Sequence, residues 1–188
     1  MGSLYAVAQP AAMDSTKAPA DTVRIMTSNP EARSQAQAGP VLAAEELRRA
    51  KWFYSMSEAM REPEKVYKLS LSRKKLKRMP TDIIMRFPNL QVLNLSQNKI
   101  KEIPDEIIRL KNLQTLILHH NKLRKLPADM REMGELQELY LGYNKFIQVP
   151  AWVGGLGKLR RLDITSNQLT LYEIELVQKR LPRCEVTH

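Results

Sequence analysis

One phrase of this chain returns at a fixed interval, and that interval constrains the fold more than anything else in it. In LQVLNLSQN, apolar residues stand at Leu90, Leu93 and Leu95, an asparagine follows at Asn98, and Ile100 closes the unit. The same pattern runs through Leu113, Leu116, Leu118, Asn121 and Leu123, and through Leu136, Leu139, Leu141, Asn144 and Phe146. A fourth copy holds Leu159, Leu162, Ile164, Asn167 and Leu169, and each step between copies is 23 residues. A unit this short cannot bury its own apolar face, so successive units must stack and share one continuous core, which makes the chain a solenoid.

The pattern extends in both directions. Val66, Leu69, Leu71 and Leu76 fit an earlier copy whose asparagine slot holds Lys74. At the far end Leu181, Cys184 and Val186 are placed in the slots of the three leading leucines, which makes Cys184 a buried apolar thiol. Six strands are therefore predicted, near residues 68–72, 92–96, 115–119, 138–142, 161–165 and 183–187. Between them Met79-Pro80, Ile103-Pro104, Leu126-Pro127 and Val149-Pro150 turn the chain back across the convex side. Leu171 to Arg180 replaces that proline turn with a helix-like stretch suited to ending the stack. The asparagines sit where the chain leaves the sheet, and each amide supplies both a donor and an acceptor to backbone groups that lose their partners there.

Ahead of the repeats the composition changes twice. Residues 1–40 are rich in Ala, Gln, Ser and Pro and read as a disordered tail. Ala6-Val7-Ala8 has the small-x-small form of an export cleavage site, so the tail is either a signal-peptide remnant or merely Ala-rich. Residues 41–65 carry helix formers, the aromatic run Trp52-Phe53-Tyr54 and a capping box at Ser55-Met56-Ser57-Glu58, and are expected to cap the first repeat. Residues 66–188 form the repeat domain, with a C-terminal capping repeat.

With these motifs in place, the chain resembles the short, 23-residue class of leucine-rich repeat with the L-x-x-L-P turn, here Arg124-Lys125-Leu126-Pro127. This class is found in Ras-suppressor-type scaffolds and in small bacterial proteins. The run from Glu58 to Leu69 and the ending from Leu181 to Val186 are more similar to the bacterial versions, which are often exported. The resemblance implies an α/β solenoid: a short curved horseshoe with a parallel sheet of about six rungs on its concave face and an N-terminal helical cap. It also implies a non-enzymatic binding module; a protein partner, a monomer and no cofactor are expected. The compartment is left between export and cytoplasm, with the resemblance favouring export.

Two surfaces are candidates for binding. Removing the inward leucines leaves the outward residues of the sheet, among which Ile117, His119 and Tyr140, with His120 and Tyr143 at the rim, form an apolar and aromatic cluster. Large rings among a few charges suit a protein interface, with Arg161 and Asp163 orienting the partner. The alternative is a basic rim. Lys75, Lys99, Lys122 and Lys145 occupy one slot of the repeat, and Lys77, Lys101 and Arg124 occupy another two residues on. The chain's formal charge is +10, and residues 1–50 balance to zero, so the entire excess lies from residue 51 onward. Such a rim can attract an anionic polymer or membrane surface. Nucleic acid is the weaker choice, because no aromatics interleave with the lysines to stack on bases.

Other chemistries are poorly supported. The adjacent His119 and His120 are expected on opposite sides of a strand, without a matching Cys, Asp or Glu, so no metal site is predicted. A single cysteine rules out an intrachain disulfide framework. No phosphate loop, nucleophile elbow or catalytic carboxylate pair is present, and no run is long enough for a transmembrane helix.

Overall fold

The computed structural model describes residues 41–188. Seven strands form one parallel sheet in sequence order: β1 (Trp52–Phe53), β2 (Lys68–Ser70), β3 (Val92–Asn94), β4 (Thr115–Ile117), β5 (Glu138–Tyr140), β6 (Arg161–Asp163) and β7 (Glu185–Thr187). The sheet is open, and its register follows the repeat. Leu69, Leu93, Leu116, Leu139 and Leu162 lie side by side across five strands, all buried. Each return passes through a short helical segment: α3 (Asp82–Arg86) first, then 3₁₀ turns at Asp105–Arg109, Ala128–Glu132 and Ala151–Gly155. A proline opens each 3₁₀ turn, and Ile107, Met130 and Val153 drop from these turns into the core. The tail expected over residues 1–40 lies outside the described residues.

Two expectations need correction. The sheet has seven rungs because the aromatic run of the cap contributes β1, which pairs with β2 through Trp52–Lys68 and Phe53–Leu69. Helix α1 (Ala44–Arg49) therefore stops before the aromatics. Ring side chains favour a pleated surface, and extended backbone here points Phe53 into the core while Trp52 faces the concave side. The cap continues in α2 (Met56–Ala59), where Ser55 Oγ accepts from the Glu58 amide at 3.2 Å. The second correction is at the other end. Val186, rather than Cys184, lies opposite Leu162, so the last strand begins at Glu185 and the final step is 24 residues. Cys184 precedes the strand, half-buried, and burial with the nearby Glu185 charge raises its thiol pKa. Helix α4 (Leu171–Arg180), capped by Thr170 Oγ1 on the Glu173 amide at 3.2 Å, packs Val177 against the last repeat.

The asparagines stitch consecutive turns together. Asn121 Oδ1 accepts from the Ile100 amide at 3.0 Å, while its Nδ2 donates to the Leu95 and Leu118 carbonyls at 2.9 and 3.0 Å. Asn98, Asn144 and Asn167 repeat the arrangement, accepting from Leu76, Leu123 and Phe146. The residue before each of them, Gln97, His120, Tyr143 or Ser166, has φ between 52° and 56°. That left-handed step turns the chain so that the amide reaches inward, and it also sends the preceding side chain out to the rim.

Candidate functional site

The concave sheet carries two outward columns. Trp52, Lys68, Val92, Thr115, Glu138, Arg161 and Glu185 make the first; Ser70, Asn94, Ile117, Tyr140, Asp163 and Thr187 make the second. Part of this face is not free. Lys68, Ser70 and Val92 are only 6, 7 and 9% exposed. Lys68 Nζ donates to the Arg48 carbonyl at the end of α1, 3.0 Å away, and lies 5.3 Å from the centre of the Trp52 ring. Burial lowers the Lys68 pKa. The cap therefore reaches over the first rungs, and the open part of the face begins near Asn94.

The open part holds the predicted cluster. Register places Ile117 between Asn94 and Tyr140, and Tyr140 beside Asp163. His119 lies further along the same rung as Ile117. His120 does not turn to the opposite side as expected for a strand residue. Its φ of 56° swings it back toward the same face, so the two imidazoles lie edge-on at 5.4 Å. His120 also stacks on Tyr143 one repeat on, at 4.1 Å and 12° between planes. Tyr143 has the same left-handed backbone and is 51% exposed. Burial lowers the His119 pKa, as does the neighbouring His120, while the Asp163 carboxylate pulls the other way. Among the described residues, no three His, Cys, Asp or Glu side chains gather where a metal could bind.

Arg161 and Asp163 are both engaged within the protein. Arg161 Nη1 donates to Glu138 at 3.1 Å and Nε to Glu185 at 3.2 Å, and hydrogen bonding with Tyr140 is the largest influence raising its pKa. Thr115 extends the chain by donating to the second Glu138 oxygen at 3.1 Å. Asp163 Oδ1 accepts from the Thr165 amide at 2.9 Å. Its carboxylate also lies against Gly142, where an added Cβ would come within 2.8 Å. A larger residue there would have to push the carboxylate aside.

The basic rim is equally regular. The amides of Lys99, Lys122 and Lys145 donate to the carbonyls of Leu76, Ile100 and Leu123 at 2.7–2.8 Å. The lysines are thereby stacked one repeat apart. Lys101, Lys122, Arg124, Lys125 and Lys145 line a shallow groove with Glu102, and a second groove adds Lys77, Arg78 and Lys99. Among the described residues none of these cations, nor Lys75, forms an ion pair. Arg78 and Lys125 belong to this surface but escaped the sequence reading, which followed two columns where the fold has three. The rim ends differently from how it begins. Ile147 occupies the slot of Lys101 and Arg124, and Leu171 follows Lys125 and Gln148 in theirs. Ile147, Leu171 and Tyr172 are 63, 80 and 70% exposed.

The comparisons with known proteins agree with this fold. No curated protein matches the chain. A solved structure of a leucine-rich repeat protein from Leptospira interrogans is similar, with 38% identity and a TM-score of 0.63. The similarity covers 66% of this chain but 32% of that one, so the chain spans about a third of its relative's length. The family described as a leucine-rich repeat region matches residues 54–179. Its members are typically binding scaffolds without enzymatic activity. The stacked turns, the asparagine stitches and this match together place the chain in the leucine-rich repeat family.

Proposed function

We propose that this chain is a non-enzymatic protein-binding module that holds its partner on the open part of the concave face. The observation that carries the reading is the exposed His120–Tyr143 ring stack, contiguous with Ile117, His119 and Tyr140. Rings already held by neighbours lose little side-chain freedom on binding, and interface energy concentrates on such residues. Tyr140, Tyr143, Ile117 and His119 are assigned the direct contacts, with His120 backing Tyr143. Arg161 is assigned a positioning role: clasped by Glu138 and Glu185, it is held on the strand beside Tyr140. Asp163, against Gly142, sets the polar edge of the same patch.

The test is a titration of the protein recovered from cell extract by the parent chain. Tyr140→Ala is expected to weaken it by more than about 1 kcal/mol, and Ser72→Ala to leave it unchanged. Charge reversal at Lys99 and Lys122 that abolishes this binding, with Tyr140→Ala silent, would move the protein site from the concave face to the rim.

A further inference from the structure

We propose that the lysine rim, together with the apolar end of the same rim, is a docking edge for an anionic lipid bilayer. Two independent features meet there. The first is electrostatic. Backbone hydrogen bonds of 2.7–2.8 Å hold Lys99, Lys122 and Lys145 in a column of like charge. Lys101 and Arg124 stand two residues on, and no carboxylate among the described residues pairs with any of them. Repulsion along this column is relieved when lipid phosphates lie against it. The second is apolar. Ile147, Leu171 and Tyr172 project into water at 63, 80 and 70% exposure; Ile147 continues the column of Lys77, Lys101 and Arg124, Leu171 follows Arg78, Glu102, Lys125 and Gln148, and Tyr172 stands in the slot of Leu126 and Val149.

The local fold explains why Tyr172 is out, while Leu171 holds a slot that is exposed in earlier repeats as well, at Lys125 and Gln148. In earlier repeats the slots before the proline turn inward, as Leu126 and Val149 do. The last repeat has no such turn. Helix α4 starts there instead, and its first two residues, Leu171 and Tyr172, face solvent. A soluble polyanion would be held by the cations and would have no use for a leucine beyond them. A protein partner would need shape matched to Ile147, Leu171 and Tyr172, which lie outside both lysine grooves. A bilayer needs no such match: phosphates meet the lysines, the leucine enters the acyl boundary, and tyrosine belongs at headgroup depth. This edge shares no residue with the concave cluster.

Flotation of the full chain with vesicles of phosphatidylglycerol and phosphatidylcholine, against phosphatidylcholine alone, tests the assignment. Binding is expected to the anionic vesicles only and to weaken with added salt. Each cation near the surface contributes about fivefold, so Lys99→Glu with Lys122→Glu should reduce binding by more than about 25-fold. Leu171→Ser with Tyr172→Ser should reduce it about tenfold, while leaving binding to inorganic polyphosphate as in the parent. All four sites are exposed, and matching thermal transitions would establish that the variants fold. A parent that ignores anionic vesicles overturns the proposal. So does a Leu171, Tyr172 variant that floats like the parent, because the rim would then be a site for soluble polyanions. Tyr140→Ala is expected to float normally; loss there would put the membrane on the concave face and refute the edge.

Discussion

A buried amide that serves two turns at once is the unit of cohesion in this solenoid. Asn121 satisfies the Ile100 amide and the Leu95 carbonyl of the preceding turn together with the Leu118 carbonyl of its own. Asn121→Ala strips all three, and an unsatisfied buried group costs about 1–3 kcal/mol. Urea melts should show a loss of at least that order. Lys74 occupies the corresponding slot of the first repeat but is exposed, so Lys74→Ala should leave the melt nearly unchanged. His119 makes a different prediction. Its folded pKa lies below the ordinary 6.5, chiefly through burial. The unfolded chain thus takes up the proton first as pH falls. The stability this histidine contributes is complete above 6.5 and drains away toward its lowered pKa. Melts of His119→Gln should therefore decline less between neutral and mildly acidic pH than those of the parent.

Among the elements, the cap stands apart because it both adds a rung and covers others. Phe53, Ala59 and Val66 are buried in the same core as the repeat leucines. A chain beginning at Val66 would lose β1 and leave the Leu69 edge open, whereas one beginning at Val41 keeps every described element. The shorter chain should melt at lower temperature and aggregate on light scattering; equal behaviour would show that β1 and α1 contribute nothing to the stack. The sequence displays the helix formers of residues 41–65 and the Ser55 cap plainly. It does not display that Trp52 and Phe53 join the sheet, since a two-residue strand has too few positions for alternation to register. Nor does it display the slip to Glu185, because Cys184 and Val186 both satisfy an apolar slot and only pairing with β6 decides between them.

For the molecule as a whole, the extent of the concave face limits what it can hold. Neighbouring strands lie about 4.8 Å apart, and three residues at about 3.3 Å each make the sheet roughly 10 Å across. With Lys68, Ser70 and Val92 already covered, the open face is shorter than the sheet. Its footprint is on the order of 250 Å², or twice that with rims. A stable interface uses about 800 Å² on each partner. Affinity through this face alone should therefore be micromolar in class, as isothermal titration would report. A nanomolar value would mean that the flanking rims or the cap also touch the partner.

The 23-residue period by itself determined the solenoid, the inward leucines and the role of the asparagines, because stacked identical turns leave each slot only one environment. It also determined the lysine columns, since like slots must lie side by side. Tertiary structure alone decided which outward residues remain free: α1 closes over Lys68, and Arg161 is taken by Glu138 and Glu185. It alone turned His120 onto Tyr143 through a left-handed backbone, and left Tyr172 in water where α4 replaces the proline turn. The physical reason is common to all of these. A repeat specifies the environment of a slot through its two neighbouring turns. The ends of the stack and the chain bends at its rim take theirs from contacts that no period encodes.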